Sequence, residues 1–172
     1  MEKLNVGIIG TGGIGNFHAN SYEKLDGVRI MAACDINQDK LERFVKKFNI
    51  DEEKAFTEYE EMLKMEELDA VSVTTWNNSH AAISIAALKA GKQVLCEKPL
   101  AMNAEEAEEM VNVTEETGNL LMVGFVRRFE KKVELLKESC EKGELGDIYY
   151  AKTGYIRKWG NPGGWFSDKK RS

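Results

Sequence analysis

The stretch Leu4-Asn5-Val6-Gly7-Ile8-Ile9-Gly10-Thr11-Gly12-Gly13-Ile14-Gly15 decides the fold. An apolar run with strand character feeds a Gly-x-Gly-x-x-Gly turn, and the pattern that follows predicts a helix over residues 14–25. Gly10 suits a tight turn, Gly12 would let the backbone come within van der Waals distance of a pyrophosphate, and Gly15 would let the helix pack closely on the strand. With Gly13 and Ile14 they form a candidate cradle, in which free N–H groups and the positive end of the helix face phosphates. A second apolar run, Val28 to Cys34, ends in Asp35. That is roughly 20 residues on, the spacing at which an acid accepts hydrogen bonds from adenosine ribose hydroxyls. A glycine pattern alone is weak evidence; strand, turn, helix, strand and acid in this order are stronger.

Working outward, apolar β-rich runs alternate with helical patterns. Strands are predicted at 4–10, 28–35, near Ala55-Phe56, and at 70–75, 93–96 and 120–124. Helices are predicted at 14–25, 38–48, 58–65, 78–90 and 104–117. Asn37 and Asn103 read as N-caps, Thr57-Glu58-Tyr59-Glu60 as a capping box, and Gly91 and Gly118 as left-handed residues just past helix ends. The strands are continuously apolar instead of alternating, which suits a parallel sheet covered on both faces. The expected fold class is α/β, a doubly wound parallel sheet.

The composition is that of an ordinary globular protein, 42% apolar and 31% charged, with no apolar run near the roughly 18 residues of a membrane span. The N-terminus enters the first strand almost at once, without a signal-peptide pattern, so a cytoplasmic location is expected. Net charge is −5; residues 151–172 carry six Lys or Arg against Asp168, leaving the first 150 residues at about −10. Such a surface repels nucleic acid, and neither a nucleic-acid nor a membrane partner is expected. Cys34, Cys96 and Cys140 lack metal-ligand spacing and read as reduced structural thiols. Two histidines without surrounding carboxylates give no support for a metal site.

After Phe125 the pattern changes. A charged amphipathic helix is predicted from about Phe129 to Glu141, ending at Gly143, followed by a β-prone stretch from Asp147 to Arg157. Gly160 to Gly164 is loop chemistry and Trp165-Phe166 an apolar anchor. A lone strand needs ladder partners. The expected organisation is therefore a dinucleotide-binding domain over 1–125 and the start of a second, incomplete domain over 126–172, within a longer design.

Several motifs taken together resemble those of the Gfo/Idh/MocA oxidoreductases across the whole chain. They are Gly10 to Gly15, Thr75-Trp76-Asn77-Asn78-Ser79-His80, Glu97-Lys98-Pro99, Gly124-Phe125-Val126-Arg127-Arg128-Phe129 and Gly163-Gly164-Trp165-Phe166. The resemblance implies a nicotinamide cofactor, with NAD expected ahead of NADP because Asp35 would repel a 2′-phosphate. It implies a sugar or polyol substrate, and it leaves a homo-oligomer open. It makes Lys98 the expected catalytic residue, an ammonium that orients the alcohol, stabilises developing alkoxide charge and assists proton transfer. Thr75, Asn77, His80, Glu97 and Arg127 join Gly10, Gly12, Gly13, Ile14, Gly15 and Asp35 as expected cofactor contacts. Trp76 stands where the family favours proline. The family's aspartate and histidine, the latter its usual proton acceptor, fall beyond Ser172. The chain alone is therefore expected to bind cofactor without turnover. The alternatives are a non-catalytic dinucleotide sensor or a parent that cleaves glycosides with bound NAD. His18 reads as a packing or surface residue, and Lys40 as a charge near the Asp35 loop that could soften the preference for NAD.

Overall fold

The computed structural model describes residues 3–154, 156 and 168. These contain two compact units, one reaching Gly124 and the next beginning at Phe125.

The first unit is built on a six-stranded, all-parallel sheet of order β3-β2-β1-β4-β5-β6. The strands are β1 (Leu4–Ile9), β2 (Val28–Cys34), β3 (Ala55–Phe56), β4 (Ala70–Val73), β5 (Gln93–Cys96) and β6 (Leu121–Val123). The intervening helices are α1 (Gly13–Tyr22), α2 (Gln38–Lys47), α3 (Tyr59–Leu63), α4 (His80–Lys89) and α5 (Ala104–Thr117). This is the doubly wound Rossmann arrangement, and the continuously apolar strands are explained by it. Ile8 and Ala33 pack with Leu41 and Phe44 of α2, Phe48 just past its end and Ala19 of α1 on one face. On the other face Ile9, Val71 and Val73 pack with Met62, Leu88 and Met110. A sheet covered on both sides has no exposed face to alternate with.

Asn37 and Asn103 cap as expected, each side-chain oxygen accepting from the backbone N–H three residues on, Lys40 at 3.0 Å and Glu106 at 2.8 Å. Gly91 and Gly118 are left-handed, at φ +78° and +69°. The capping box does not form. Glu58, extended and without a side-chain cap bond, precedes a five-residue α3, so Thr57 lies one position too early to serve that helix. The predicted 78–90 helix is a 3₁₀ turn at Asn77–Ser79 leading into α4.

The second unit holds a 3₁₀ turn at Val126–Phe129 and α6 (Lys131–Glu141), which ends before Gly143 at φ +71°. The predicted strand from Asp147 to Arg157 is absent from its described part. Residues 147–154 and 156 have no regular structure, and Tyr149 and Ile156 are each 98% exposed. β propensity measures fit to a pleated ladder, and the described residues offer this segment no neighbouring strand. Gly160 to Gly164 and Trp165-Phe166 lie outside the described residues.

Candidate functional site

The chain order reverses between β1 and β4, and the crevice at the carboxyl ends of these strands is where a doubly wound sheet binds ligands. A cleft of about 620 Å³ opens there, between the β1–α1 turn, the Asp35 loop and the loop after β4.

The glycines of the turn divide by what surrounds them. Gly10 has φ +97°, and a Cβ on it would stand 2.8 Å from the Thr74 carbonyl group. A Cβ on Gly15 would stand 2.0 Å from the Gly10 oxygen, so the close pass of α1 over the turn exists only without a side chain there. Gly12 and Gly13 have no heavy atom within 4 Å of that position. The protein itself does not need glycine at these two places; a ligand pressed against the backbone would. Gly12 is also the N-cap of α1, with ordinary extended dihedrals and no side-chain cap, so the first N–H groups of the helix are left for a ligand. Ile14, half exposed, is the second residue of that helix.

Asp35 stands at the end of β2 as expected, and its carboxylate also holds the turn. Oδ2 accepts from the Thr11 N–H at 2.8 Å and the Thr11 hydroxyl at 2.9 Å, while Oδ1 accepts from the Asn37 N–H at 2.9 Å. The lone-pair capacity that remains on Oδ1 is what a ribose hydroxyl could use. Lys40 lines the same cleft, as do Glu58 and Tyr59.

Beyond β4, Thr74 is buried and its hydroxyl reaches the Gly10 carbonyl at 2.7 Å, tying this loop to the glycine turn. Thr75 lines the cleft and accepts from the Ser79 hydroxyl at 2.8 Å. Asn77 is half-buried in the 3₁₀ turn. His80 is 1% exposed, so its side chain is not open to a ligand. Its Nδ1 lies 2.7 Å from the Pro99 oxygen and its Nε2 3.3 Å from the Thr75 oxygen, bridging the loop after β5 to the loop after β4.

After β5, Lys98 is exposed and joined to Pro99 by a cis peptide. Its ammonium takes no hydrogen bond or ion pair among the described residues. Glu97 is partly buried and turned inward. Its Oε2 accepts from the Lys98 N–H at 3.2 Å, and Oε1 lies 3.1 Å from His18 Nε2. The His18 hydrogen bond, with help from the Lys98 N–H, holds the Glu97 carboxyl below its ordinary value against the opposing effect of burial. Gly124 makes room for it, since a Cβ there would stand 3.0 Å from Oε1. Arg127 belongs to the second unit, where it pairs with Glu130.

The roles of Asn16 and His18 were missed by the sequence reading. Gly15, His18, Ala19 and Tyr22 recur at the spacing of one helix face, so the close packing required at Gly15 was a signal that His18 points inward. Asn16 gave no such signal. Its amide nitrogen donates to the Thr11 and Gly12 carbonyls at 3.0 Å each.

Among the described residues no group of three or more His, Cys, Asp or Glu could hold a metal ion, and no helix is long and apolar enough to cross a membrane. Burial pushes the Cys34 thiol up to about 12 and Cys96 up to about 11, so neither acts as a nucleophile at neutral pH.

Comparison with known proteins places these features in context. Residues 4–125 match the family model GFO_IDH_MocA, described as an oxidoreductase family with an NAD-binding Rossmann fold. The chain is 35% identical over 143 residues to the myo-inositol 2-dehydrogenase of Thermotoga maritima, covering 83% of this chain and 42% of that protein. It is 38% identical over 146 residues to the inositol 2-dehydrogenase of Serratia proteamaculans, covering 84% and 43%. A crystal structure of scyllo-inositol dehydrogenase from Lactobacillus casei with bound cofactor NAD(H) and scyllo-inositol superposes with a TM-score of 0.80. That protein is 28% identical, over 86% of this chain and 43% of its own. The chain thus spans less than half the length of the curated relatives it matches.

Proposed function

The chain belongs to the Gfo/Idh/MocA oxidoreductase family, and from that premise we propose that it forms the NAD site of an oxidoreductase acting on a hydroxyl-bearing carbon of a sugar or polyol, an inositol being the best-supported substrate class. The observation that carries the reading is the division among the glycines. Gly10 and Gly15 are required by the fold, while Gly12 and Gly13 face open space at the start of α1. The pyrophosphate fits there, with the adenosine ribose on Asp35 and the adenine end of the cleft beside Ile36 and Trp76.

Bound NAD would supply the hydride acceptor, which no side chain can provide. The protein's part is positioning and charge. Lys98, at the carboxyl end of β5, would orient the substrate hydroxyl and stabilise negative charge developing on its oxygen. Glu97 fixes the Lys98 backbone through the N–H bond and is itself fixed by His18. Among the described residues, the two histidines and Asp35 are engaged elsewhere: His18 on Glu97, His80 between two carbonyls, Asp35 on Thr11 and Asn37. We therefore expect the 172-residue chain by itself to bind NAD(H) without appreciable oxidation of inositol.

The test is titration of the purified chain with NADH, followed by its fluorescence, and an assay with NAD and myo-inositol. Saturable binding with negligible turnover is expected. No binding would refute the site. A rate proportional to protein concentration would refute the binding-only reading, and Lys98→Ala would then be expected to remove most of it.

A further inference from the structure

The N–H groups of the glycine turn must point into the cleft if they are to hold phosphates, and a side chain outside the motif fixes their direction. Asn16 is the fourth residue of α1, and its backbone N–H bonds the Gly12 carbonyl at 3.0 Å as any helical residue would. Its side chain then folds back over the same turn. Nδ2 donates to the Thr11 oxygen and to the Gly12 oxygen, both at 3.0 Å, while Oδ1 accepts from the Lys47 ammonium of α2 at 2.8 Å. Both amide hydrogens and the amide oxygen are in use. The reverse amide orientation would set its oxygen against two carbonyls and its NH₂ against an ammonium, so the three partners determine the orientation.

The geometry of the peptide unit carries this further. In a trans peptide the C=O and the following N–H point in opposite directions across one plane. The Thr11 carbonyl shares its plane with the Gly12 N–H, and the Gly12 carbonyl with the Gly13 N–H. Anchoring these two carbonyls on Asn16 therefore turns the Gly12 and Gly13 N–H groups the other way. Neither N–H has a hydrogen-bond partner among the described residues. Glycines have few steric preferences of their own, so without the side-chain anchor the Thr11–Gly12 plane could rotate and the Gly12–Gly13 plane would keep only its helical bond from the Asn16 N–H, leaving a phosphate to order the turn on binding. Lys47 sharpens the arrangement, because an ammonium on the amide oxygen polarises the amide and strengthens its donation to the carbonyls.

We propose that Asn16, held by Lys47, is a positioning residue that presets the Gly12 and Gly13 N–H groups for the pyrophosphate of the cofactor. The inference rests on the dinucleotide reading given above. It separates phosphate recognition from adenosine recognition, which depends on Asp35 and the cleft beyond it.

The test compares ADP, which carries the pyrophosphate, with adenosine, which does not, titrated against the ¹⁵N-labelled chain and the variants Asn16→Leu and Asn16→Ala. Leu is close to Asn in size, and both replacements have better helix propensity than Asn, so α1 is not weakened by them. The expected result is at least a tenfold loss of ADP affinity with adenosine affinity within twofold of wild type. Lys47→Met, on the exposed side of α2, should move the same ratio in the same direction by a smaller factor. Equal losses for ADP and adenosine would overturn the proposal in favour of general loop disorder, and unchanged ADP affinity would overturn it outright. Wild-type ADP binding no tighter than adenosine would instead sink the dinucleotide reading on which it depends.

Discussion

Gly12→Val separates a ligand-imposed glycine from a fold-imposed one. Gly12 sits at φ −69° and ψ −163°, extended backbone that a β-branched residue adopts without strain, and a Cβ there meets no protein atom within 4 Å. The folded state then loses only an N-cap preference, about 0.5–1 kcal/mol. The less flexible unfolded chain returns about 0.4–1 kcal/mol. Net stability should change by under about 0.5 kcal/mol, or less than about 2 °C in Tm for a chain of this size. Binding is another matter. The valine would keep a pyrophosphate from reaching the Gly12 and Gly13 N–H groups, and two hydrogen bonds to a charged partner are worth about 3–6 kcal/mol together. That predicts a roughly 10²- to 10⁴-fold weaker Kd for NADH. Gly15→Ala is the control: its Cβ would lie 2.0 Å from the Gly10 oxygen, a backbone atom that cannot step aside. Overpacking of this kind costs about 3 kcal/mol or more, which corresponds to a fall in Tm of about 6–12 °C. NADH fluorescence titration and thermal melts of the three proteins suffice. A Gly12→Val protein with wild-type Tm and NADH affinity within threefold of wild type would refute the phosphate cradle.

Three further outcomes follow from the contacts described above. NAD(H) should bind more tightly than NADP(H), and Asp35→Ser should weaken NAD while narrowing the gap, with Lys40 already on the cleft to meet a 2′-phosphate; equal affinities in the wild type would overturn this. Because the Glu97 carboxyl is held below its ordinary 4.5, chiefly by His18, the unfolded chain takes up that proton first as pH falls. Its contribution to stability is complete above about pH 4.5 and disappears as the pH drops through the lower folded value, so Glu97→Gln should flatten the fall of Tm between pH 6 and 3, and an unchanged slope would contradict the pairing. Cys34 and Cys96, buried and with thiols pushed up to about 12 and about 11, should resist alkylation of the native protein at pH 8, read by peptide mass. Labelling of either at the rate of Cys140 would show the core to be more open than described.

The sequence by itself determined the βαβ order, the parallel sheet and the location of the cleft, because these depend on local and periodic properties. Strand hydrophobicity, the asparagine caps at 37 and 103, the glycines at 10 and 15 and the acid after β2 each act within a few residues of chain, or at a spacing set by one βαβ unit. The Asp147–Arg157 expectation failed for the converse reason: strand propensity is realised only through a partner ladder, and propensity does not say whether one is present. What the tertiary structure decided is how side chains distant in sequence are used. Asp35 is a lock on Thr11 and Asn37, His80 is a buried bridge from Thr75 to Pro99, and His18 holds Glu97 from 79 residues away. The Asn16–Lys47 contact joins two helices that meet only because both cover the same face of the sheet. Such pairings depend on which atoms come within hydrogen-bond reach once the sheet is assembled, and a change of 1 Å makes or removes them.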